Sequence, residues 1–160
     1  MKKRTLQISW REATEIAQIP ASKATLLAMA TQSLQNAYAP YSNFLVGAAV
    51  LLENGVMLGG SNQENAAYPM CLCAERVAIS AAASAYPNVL ITSMAITVKA
   101  PRQIIERPAM PCGACRQALC ELENRQKKPV ELVIRGEVGP IYLFDSVKEI
   151  LPFSFDATFL

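Results

Sequence analysis

Two short cysteine motifs in the 160-residue sequence contain residue types that bind metals and move protons. The first is "CAE", in which Cys73 stands two residues before Glu75, and the second is "PCGAC", which places Cys112 and Cys115 in C-x-x-C spacing. Two thiolates at that spacing can hold one metal ion, and zinc prefers sulfur to carboxylate oxygen. We therefore predict that Cys73, Cys112 and Cys115 bind one Zn²⁺ per chain.

The number of ligands predicts a catalytic zinc rather than a structural one. Structural zinc is usually enclosed by four protein groups, whereas catalytic zinc keeps a position for water and lowers its pKa from about 15.7 towards 7. The sequence contains no histidine, the usual proton shuttle at neutral pH. Because Glu75 follows a ligand by two residues, we predict that it moves protons without binding the metal.

Other interpretations of the same cysteines stay open at this point. A lone C-x-x-C is redox-active or structural at least as often as it is catalytic, but a redox pair of Cys112 and Cys115 would leave Cys73 without a role. Cys71 could complete a structural zinc site as a fourth ligand. Cys120 is predicted to be a small buried hydrophobic residue. The occurrence of both motifs in one chain favours the catalytic site.

Each cysteine motif lies where a helix is predicted to begin. The segments "CAERVAISAAASAY" and "CGACRQALCELENRQ" have helical composition, and a further helix is predicted to open near Ser22. Free N–H groups and the positive end of the helix dipole favour thiolates at these positions. A last short helix is predicted at "SVKEILP". Five segments are predicted to be strands: "FLVGAAVLL", "VMLGGSN", "VLITSMAITV", "VELVIRG" and "PIYLFD". The alternation of strands and helices indicates an α/β layered domain.

Composition narrows the class of protein. Hydrophobic residues make up 52% of the chain and charged residues 18%, with a net charge of +2, which favours one compact domain and gives no sign of a nucleic-acid partner. The longest apolar run, Phe44 to Leu52, is too short for a membrane helix, which needs about 20 residues. No signal peptide is recognised, so we expect a cytoplasmic protein without a membrane partner. The five cysteines are an odd number and cannot all pair as disulfides.

Together these motifs resemble those of the cytidine deaminase family, in its small, homotetrameric form with three cysteines on zinc. The resemblance extends from about residue 21 to residue 155, through "YAPYSNFLVGAAV", "NQENAAYP", "CAERVAI", "PCGACRQ" and "LPFSF". It implies a three-layer α/β/α fold with a mixed, roughly five-stranded sheet. We predict an N-terminal extension over residues 1–20 and the deaminase domain over residues 21–160.

The resemblance also implies roles for individual residues. It makes Cys73, Cys112 and Cys115 the zinc ligands and Glu75 the proton carrier. It further implies that Asn62 and Glu64 bind the ribose 3′-hydroxyl, that Phe44 packs against the pyrimidine, that the Ala74 N–H donates to the base carbonyl, that Arg76 hydrogen-bonds ligand sulfurs, and that Tyr68 and Phe155 enter a neighbouring subunit's pocket. Taken alone, an acid and amide in a loop, or a phenylalanine at a strand start, would more simply be structural.

The function implied is hydrolytic deamination of cytidine and 2′-deoxycytidine to the uridine nucleosides and ammonia, a pyrimidine salvage reaction. The expected partners are a nucleoside substrate and other copies of the chain. Three alternatives remain: a related deaminase acting on a free base, an aminonucleoside or single-stranded nucleic acid; a non-catalytic, zinc-stabilised binding module; and a redox protein. The near-neutral charge and "NQEN" disfavour a polymer substrate.

Overall fold

The computed structural model, which describes residues 1–160, contains one mixed six-stranded sheet with helices on both faces. The strands are β1 (Arg11–Ala13), β2 (Leu45–Leu52), β3 (Met57–Ser61), β4 (Ile91–Lys99), β5 (Glu131–Arg135) and β6 (Ile141–Phe144). The helices are α1 (Ala21–Ser33), α2 (Ala74–Ala85) and α3 (Gly113–Gln126). The three-layer α/β/α arrangement predicted from the sequence is therefore confirmed.

The strands lie in the order β1-β6-β5-β4-β2-β3, and only the β4–β5 pair is parallel. A parallel pair needs a crossover connection, which α3 supplies between these two strands. The strands β2 and β3 form the predicted hairpin, whose turn contains Gly55 at φ +85°. That left-handed backbone conformation favours glycine.

The central strand β4 is buried along nearly its whole length because both of its faces are covered. Met94 and Ile96 belong to the core under α2 and α3, while Ala95 belongs to the core under α1. Successive side chains of a strand point to opposite faces, so a strand buried on both sides shows no polar alternation. The sequence-based prediction of a doubly covered strand is confirmed.

Close packing of β3 against α2 fixes the start of that helix. A Cβ atom placed on Gly60 would lie 2.6 Å from both the Ala74 carbonyl oxygen and the Ala78 amide nitrogen. Only glycine permits this approach of strand to helix, and the small Ala78 side chain is fully buried at the contact. The first turn of α2 is thereby held against the sheet.

Two sequence predictions differ from the structure. The sheet has six strands rather than about five, because β1 of the N-terminal extension pairs antiparallel with β6. Trp10 packs against Tyr142 with ring centroids 5.9 Å apart, and Arg11 forms an ion pair with Asp145. The predicted last helix is a single 3₁₀ turn at Val147–Glu149. The domain boundary at residue 20 stays a prediction.

No helix combines the length and the apolar character that crossing a membrane requires.

Candidate active site

The three predicted metal ligands come together at one point. The sulfur atoms of Cys73, Cys112 and Cys115 all lie within 4.8 Å of one another, and those of Cys73 and Cys112 are 3.9 Å apart. Tetrahedral zinc with Zn–S bonds of about 2.3 Å would separate its sulfur ligands by about 3.8 Å. The spacing and the soft donor set therefore fit one zinc ion.

Two helix N-termini present these sulfurs. Cys73 is the N-cap of α2 and Cys112 is the N-cap of α3, both with extended backbone angles, and Cys115 lies in the first turn of α3. The first amides of a helix have no intrahelical acceptor, and the dipole places partial positive charge there. Both helices thus offset the negative charge that three thiolates bring to one site.

The ligand thiols hold one another's protons. The Cys115 thiol donates a hydrogen bond that lowers the pKa of Cys73 to about 6, against the effects of burial and of the Glu75 charge. The pKa of Cys115 is raised, mainly because its proton is held in that hydrogen bond and also because the thiol is buried. A zinc ion bound to the sulfurs would displace the proton that Cys115 donates to Cys73. The hydrogen bond that raises the pKa of Cys115 would then be lost.

Glu75, the second residue of α2, lies beside the sulfurs and is buried, with only 4% of its surface exposed. Because Glu75 lies close to both thiols, its negative charge raises the pKa of Cys73 and of Cys115. The Glu75 carboxylate forms no hydrogen bond within the chain, unlike the other buried glutamate, Glu123. Its oxygens are therefore available to exchange protons with a bound molecule.

A cavity of about 300 Å³ opens beside Cys73, Cys112 and Glu75. Its volume is at the lower end of the range of about 300 to 1,000 Å³ found for small-molecule sites. The cavity is lined by Cys73 and Cys112 and by four further residues proposed from the sequence: Phe44, Asn62, Glu64 and Glu75. The structure also places there residues that sequence reasoning did not assign to substrate: Val46, Gln63, Cys71, Leu72, Ile96, Val98, Ala109 and Met110. Only long-range packing brings these together, so no local motif identifies them.

Asn62 and Glu64 hold one side of the cavity in place. The Asn62 amide donates to the Phe44 carbonyl and accepts from the Val46 N–H, each at 2.9 Å. The Glu64 carboxylate accepts hydrogen bonds from the N–H groups of Tyr41 and Ser42 and from the Ser42 hydroxyl. The Ser42 hydroxyl is the main cause of the lowered pKa of Glu64, which is therefore an ionised acceptor.

Both side chains keep capacity for a ligand. An amide nitrogen has two hydrogens, of which Asn62 uses one, and a carboxylate can accept about four hydrogen bonds, of which Glu64 uses three. The hydrogen bonds within the chain therefore hold the Asn62 and Glu64 side chains in place and leave each side chain able to form a further hydrogen bond with a ligand.

The remaining predicted residues divide into two groups. Ala74 is the first residue of α2, where its amide lacks an intrahelical acceptor. The positive charge of Arg76 lowers the pKa of Cys73, although the Arg76 guanidinium forms no hydrogen bond to a sulfur. Tyr68 and Phe155 do not line the cavity of their own chain and are 70% and 59% exposed. Tyr68 contacts the ring of Tyr41, and Phe155 stacks on Phe159.

The chain is similar to known proteins over most of its length. Residues 20–129 match the family described as "Cytidine and deoxycytidylate deaminase zinc-binding region". Cytidine deaminase of Halalkalibacterium halodurans is 39% identical over 132 residues, covering 82% of this chain and 92% of that protein. Cytidine deaminase of Sporosarcina psychrophila is 39% identical over 131 residues, covering 81% and 88%.

Solved structures agree in fold. The crystal structure of cytidine deaminase from Burkholderia pseudomallei superposes with a TM-score of 0.70 at 36% identity, covering 82% of this chain and 97% of that one. The matched region of the family contains all three clustered cysteines and Glu75. From the sequence match, the shared fold and the sulfur cluster together, the chain belongs to the cytidine and deoxycytidylate deaminase family of zinc-binding proteins.

Proposed function

We propose that this protein hydrolyses cytidine and 2′-deoxycytidine to uridine and 2′-deoxyuridine, with release of ammonia. The observation that carries the proposal is one cavity that lies against the three-sulfur cluster and is lined by a buried carboxylate without a hydrogen-bond partner in the chain and by two polar side chains with spare hydrogen-bonding capacity. The curated relatives named cytidine deaminase, which match over most of their length, support the same assignment.

The chemistry centres on Glu75 and the zinc site. Zinc held by the cysteines supplies a water whose pKa falls from about 15.7 towards 7. The Glu75 carboxylate would accept a proton from the attacking water and deliver it to ring N3, and would then accept the second proton of that water from the hydroxyl on C4 and pass it to the amine that leaves. One carboxylate can be base and then acid because each acceptance of a proton is followed by a donation, which restores the carboxylate. Burial of Glu75 keeps bulk water away from this exchange.

The opposite side of the cavity selects a nucleoside. We assign Asn62 and Glu64 to the ribose 3′-hydroxyl, which is donor and acceptor and so matches an amide N–H and a carboxylate oxygen. Phe44 packs against the pyrimidine, and the free Ala74 N–H donates to the base carbonyl. A free base would leave the polar side chains without these bonds, which lowers its reactivity relative to the nucleoside.

Arg76 acts on the charge of the metal site. Three thiolates and a dication carry a net charge of about −1, and the guanidinium on the first turn of α2 opposes it. In the structure its charge already lowers the pKa of Cys73. We assign it a hydrogen bond to a ligand sulfur in the zinc-bound protein.

We also propose a homotetramer in which Tyr68 and Phe155 complete the pocket of a neighbouring subunit. Exposed aromatic rings at functional loops are typical of surfaces that a partner covers. Light scattering should give four times the chain mass, and a monomeric active enzyme would exclude this arrangement. The five free cysteines suit a reducing compartment, so we assign the protein to the cytoplasm.

Zinc analysis and the ultraviolet change on adding cytidine test the function directly. We expect about one zinc per chain and conversion of cytidine and deoxycytidine, but not of cytosine or a single-stranded oligonucleotide. Cys112→Ala should lose zinc and activity, whereas the matched Cys120→Ala should keep both, because Cys120 lies in the core outside the cluster. Zinc bound without turnover of either nucleoside would refute the proposal.

A further inference from the structure

The first ten residues form an exposed arm next to the end strand of the sheet. All ten are exposed and none belongs to a helix or strand, and residues 1–8 form no hydrogen bond within the chain. The arm leads into β1, which pairs with β6 on one side only. An end strand presents unpaired N–H and C=O groups on its other side, and these can pair with a further strand. The arm and β1 together therefore offer an open edge to another extended segment.

The order of residues in the arm favours an extended strand with one apolar face. Leu6, Ile8 and Trp10 alternate with the polar residues Gln7 and Ser9. Alternation with a period of two places the three apolar side chains on one face of an extended chain. Each of them is about half exposed, with 54%, 45% and 51% of its surface accessible. The single arm therefore leaves its apolar face uncovered.

Contacts at the end of the arm show which side of the sheet this apolar face joins. Trp10 packs on Tyr142 with ring centroids 5.9 Å apart, and Tyr142 lies opposite Glu12 in the pairing of β1 with β6. Tyr142 packs against the core under α2 and α3, whereas Ala13, on the other face of β1, belongs to the core under α1. The apolar face of the arm therefore continues the α2 and α3 side of the sheet, and Glu12 lies on that same face.

The arm is self-complementary when two copies run antiparallel about Ile8. Ile8 then lies opposite Ile8 of the second copy, Leu6 lies opposite Trp10, and Arg4 lies opposite Glu12. Two-fold symmetry makes the last two pairs occur twice. Apolar pairs and opposite charges directly across from each other both stabilise antiparallel strands. A shift of the register by two residues would place Arg4 opposite Trp10 or Glu12 opposite Leu6, so the charges favour the register centred on Ile8.

We propose that residues 4–12 of two copies pair as antiparallel strands, which joins the sheets of the two copies at their β1 edges. Charge complementarity selects a second copy as the occupant, because the arm supplies both Arg4 and Glu12 where its own copy needs the opposite charge. The contact is isologous, so it is compatible with the homotetramer proposed above and does not depend on it. It is also independent of the proposed deamination, since the arm precedes residue 20, where the matched family region begins, and does not line the catalytic cavity.

Disulfide capture in the full-length, zinc-loaded protein tests the register. In Ile8→Cys the two new thiols would face each other with Cβ atoms about 4.5 to 5.5 Å apart, close to the separation in a disulfide. Leu6→Cys is the matched control on the same face, because its two thiols would lie four residues apart along the strands, at about 14 Å. In a glutathione redox buffer, a non-reducing denaturing gel should show at least about tenfold more linked dimer for Ile8→Cys than for Leu6→Cys or the wild type.

Charge reversal in the Ile8→Cys background tests the complementarity. Arg4→Glu and Glu12→Arg should each slow dimer capture by about tenfold, because each turns two attractive pairs into two repulsive ones. The double variant restores both pairs with the signs exchanged, so its capture rate should return to within about twofold of the Ile8→Cys rate. Lys3→Glu is the control for charge alone, since Lys3 lies on the other face, opposite Ala13, and should change the rate by less than about threefold.

Three results would overturn the pairing: no linked dimer of Ile8→Cys above the wild-type level, equal capture of Ile8→Cys and Leu6→Cys, or a double charge reversal that captures no faster than the single ones. The proposed function is tested separately by cytidine turnover. All arm variants should keep that turnover within about twofold of the wild type, because the arm lies outside the cavity. A wild type that forms the linked Ile8→Cys pair but does not deaminate cytidine would refute the function and leave the pairing intact.

Discussion

The two buried glutamates, Glu75 and Glu123, should separate catalysis from stability. Each has 4% of its surface exposed, but their surroundings differ. Glu75 lines the catalytic cavity and has no hydrogen-bond partner in the chain, whereas Glu123 accepts from the Val130 N–H at 2.7 Å, the Val147 N–H at 2.9 Å and the Ser146 hydroxyl at 2.8 Å. We predict that Glu75→Gln impairs turnover alone and that Glu123→Ala impairs stability alone.

The magnitudes follow from these contacts. Val130 and Val147 are fully buried, and Glu123→Ala leaves both amides without an acceptor. A buried unsatisfied donor costs about 1 to 3 kcal/mol, so the free energy of unfolding should fall by at least about 2 kcal/mol. For a chain of this size the melting temperature should then fall by at least roughly 4 °C. Glu75→Gln keeps the shape of the side chain but removes the proton carrier, which should lower kcat by about 10² to 10⁴-fold.

The assay measures zinc content, melting temperature and cytidine turnover in the three proteins. Glu75→Gln should retain zinc and melt within about 2 °C of the wild type. Glu123→Ala, measured well below its melting temperature, should have kcat within about twofold of the wild type; Glu123→Gln, which keeps an acceptor oxygen, should be the more stable of the two Glu123 variants. Full activity in Glu75→Gln with zinc bound would refute the assignment of the proton carrier.

Three further outcomes are expected. Zinc affinity should rise with pH, because the metal displaces the proton of Cys115, and the rise should be steeper below pH 6, where Cys73 with its pKa of about 6 is also protonated. Competition with a chromophoric chelator between pH 5 and 8 measures this, and a flat profile would contradict it. Gly60→Ala should cost about 1 to 3 kcal/mol and reduce activity, since the new methyl group would meet the Ala78 backbone nitrogen of α2. Gly113→Ala, where no atom lies within 4 Å, should be at least as stable as the wild type by thermal unfolding.

Local sequence signals were sufficient for most of the fold. The strand predicted from residue 44 to 52 is found at Leu45–Leu52, and the helix predicted from 112 to 126 is found at Gly113–Gln126. Their apolar runs and helix-forming residues act within a few positions of the chain. Strand β1 lacks such a signal, because its three residues, "REA", have low strand propensity and are extended only through pairing with β6.

The clustering of the three cysteines was predictable to a similar extent, but the supporting contacts of the site were not. Residue types and spacing were enough to propose Cys73 and Glu75. The bonds from Asn62 to Phe44 and Val46 join a loop to a strand start, and nothing in "NQEN" specifies those partners.

The topology of the sheet explains why the cysteine motifs meet. Strand β2 lies between β3 and β4 and is antiparallel to both, so β3 and β4 run in the same direction and end at the same edge. The segment after β3 leads to Cys73, and the segment after β4 leads to Cys112, which places both helix N-termini at that edge.

The same geometry brings the side of the cavity that we assign to the substrate next to the three cysteines. Strand β2 starts where β3 and β4 end, so Phe44, just before β2, faces Asn62, just after β3. Ligand sites of α/β proteins form at the carboxyl ends of strands because the loops there can vary without disturbing the core. In this chain one antiparallel strand between two codirectional ones gathers the three clustered cysteines, Glu75 and the residues that we assign to the nucleoside at a single edge of the sheet.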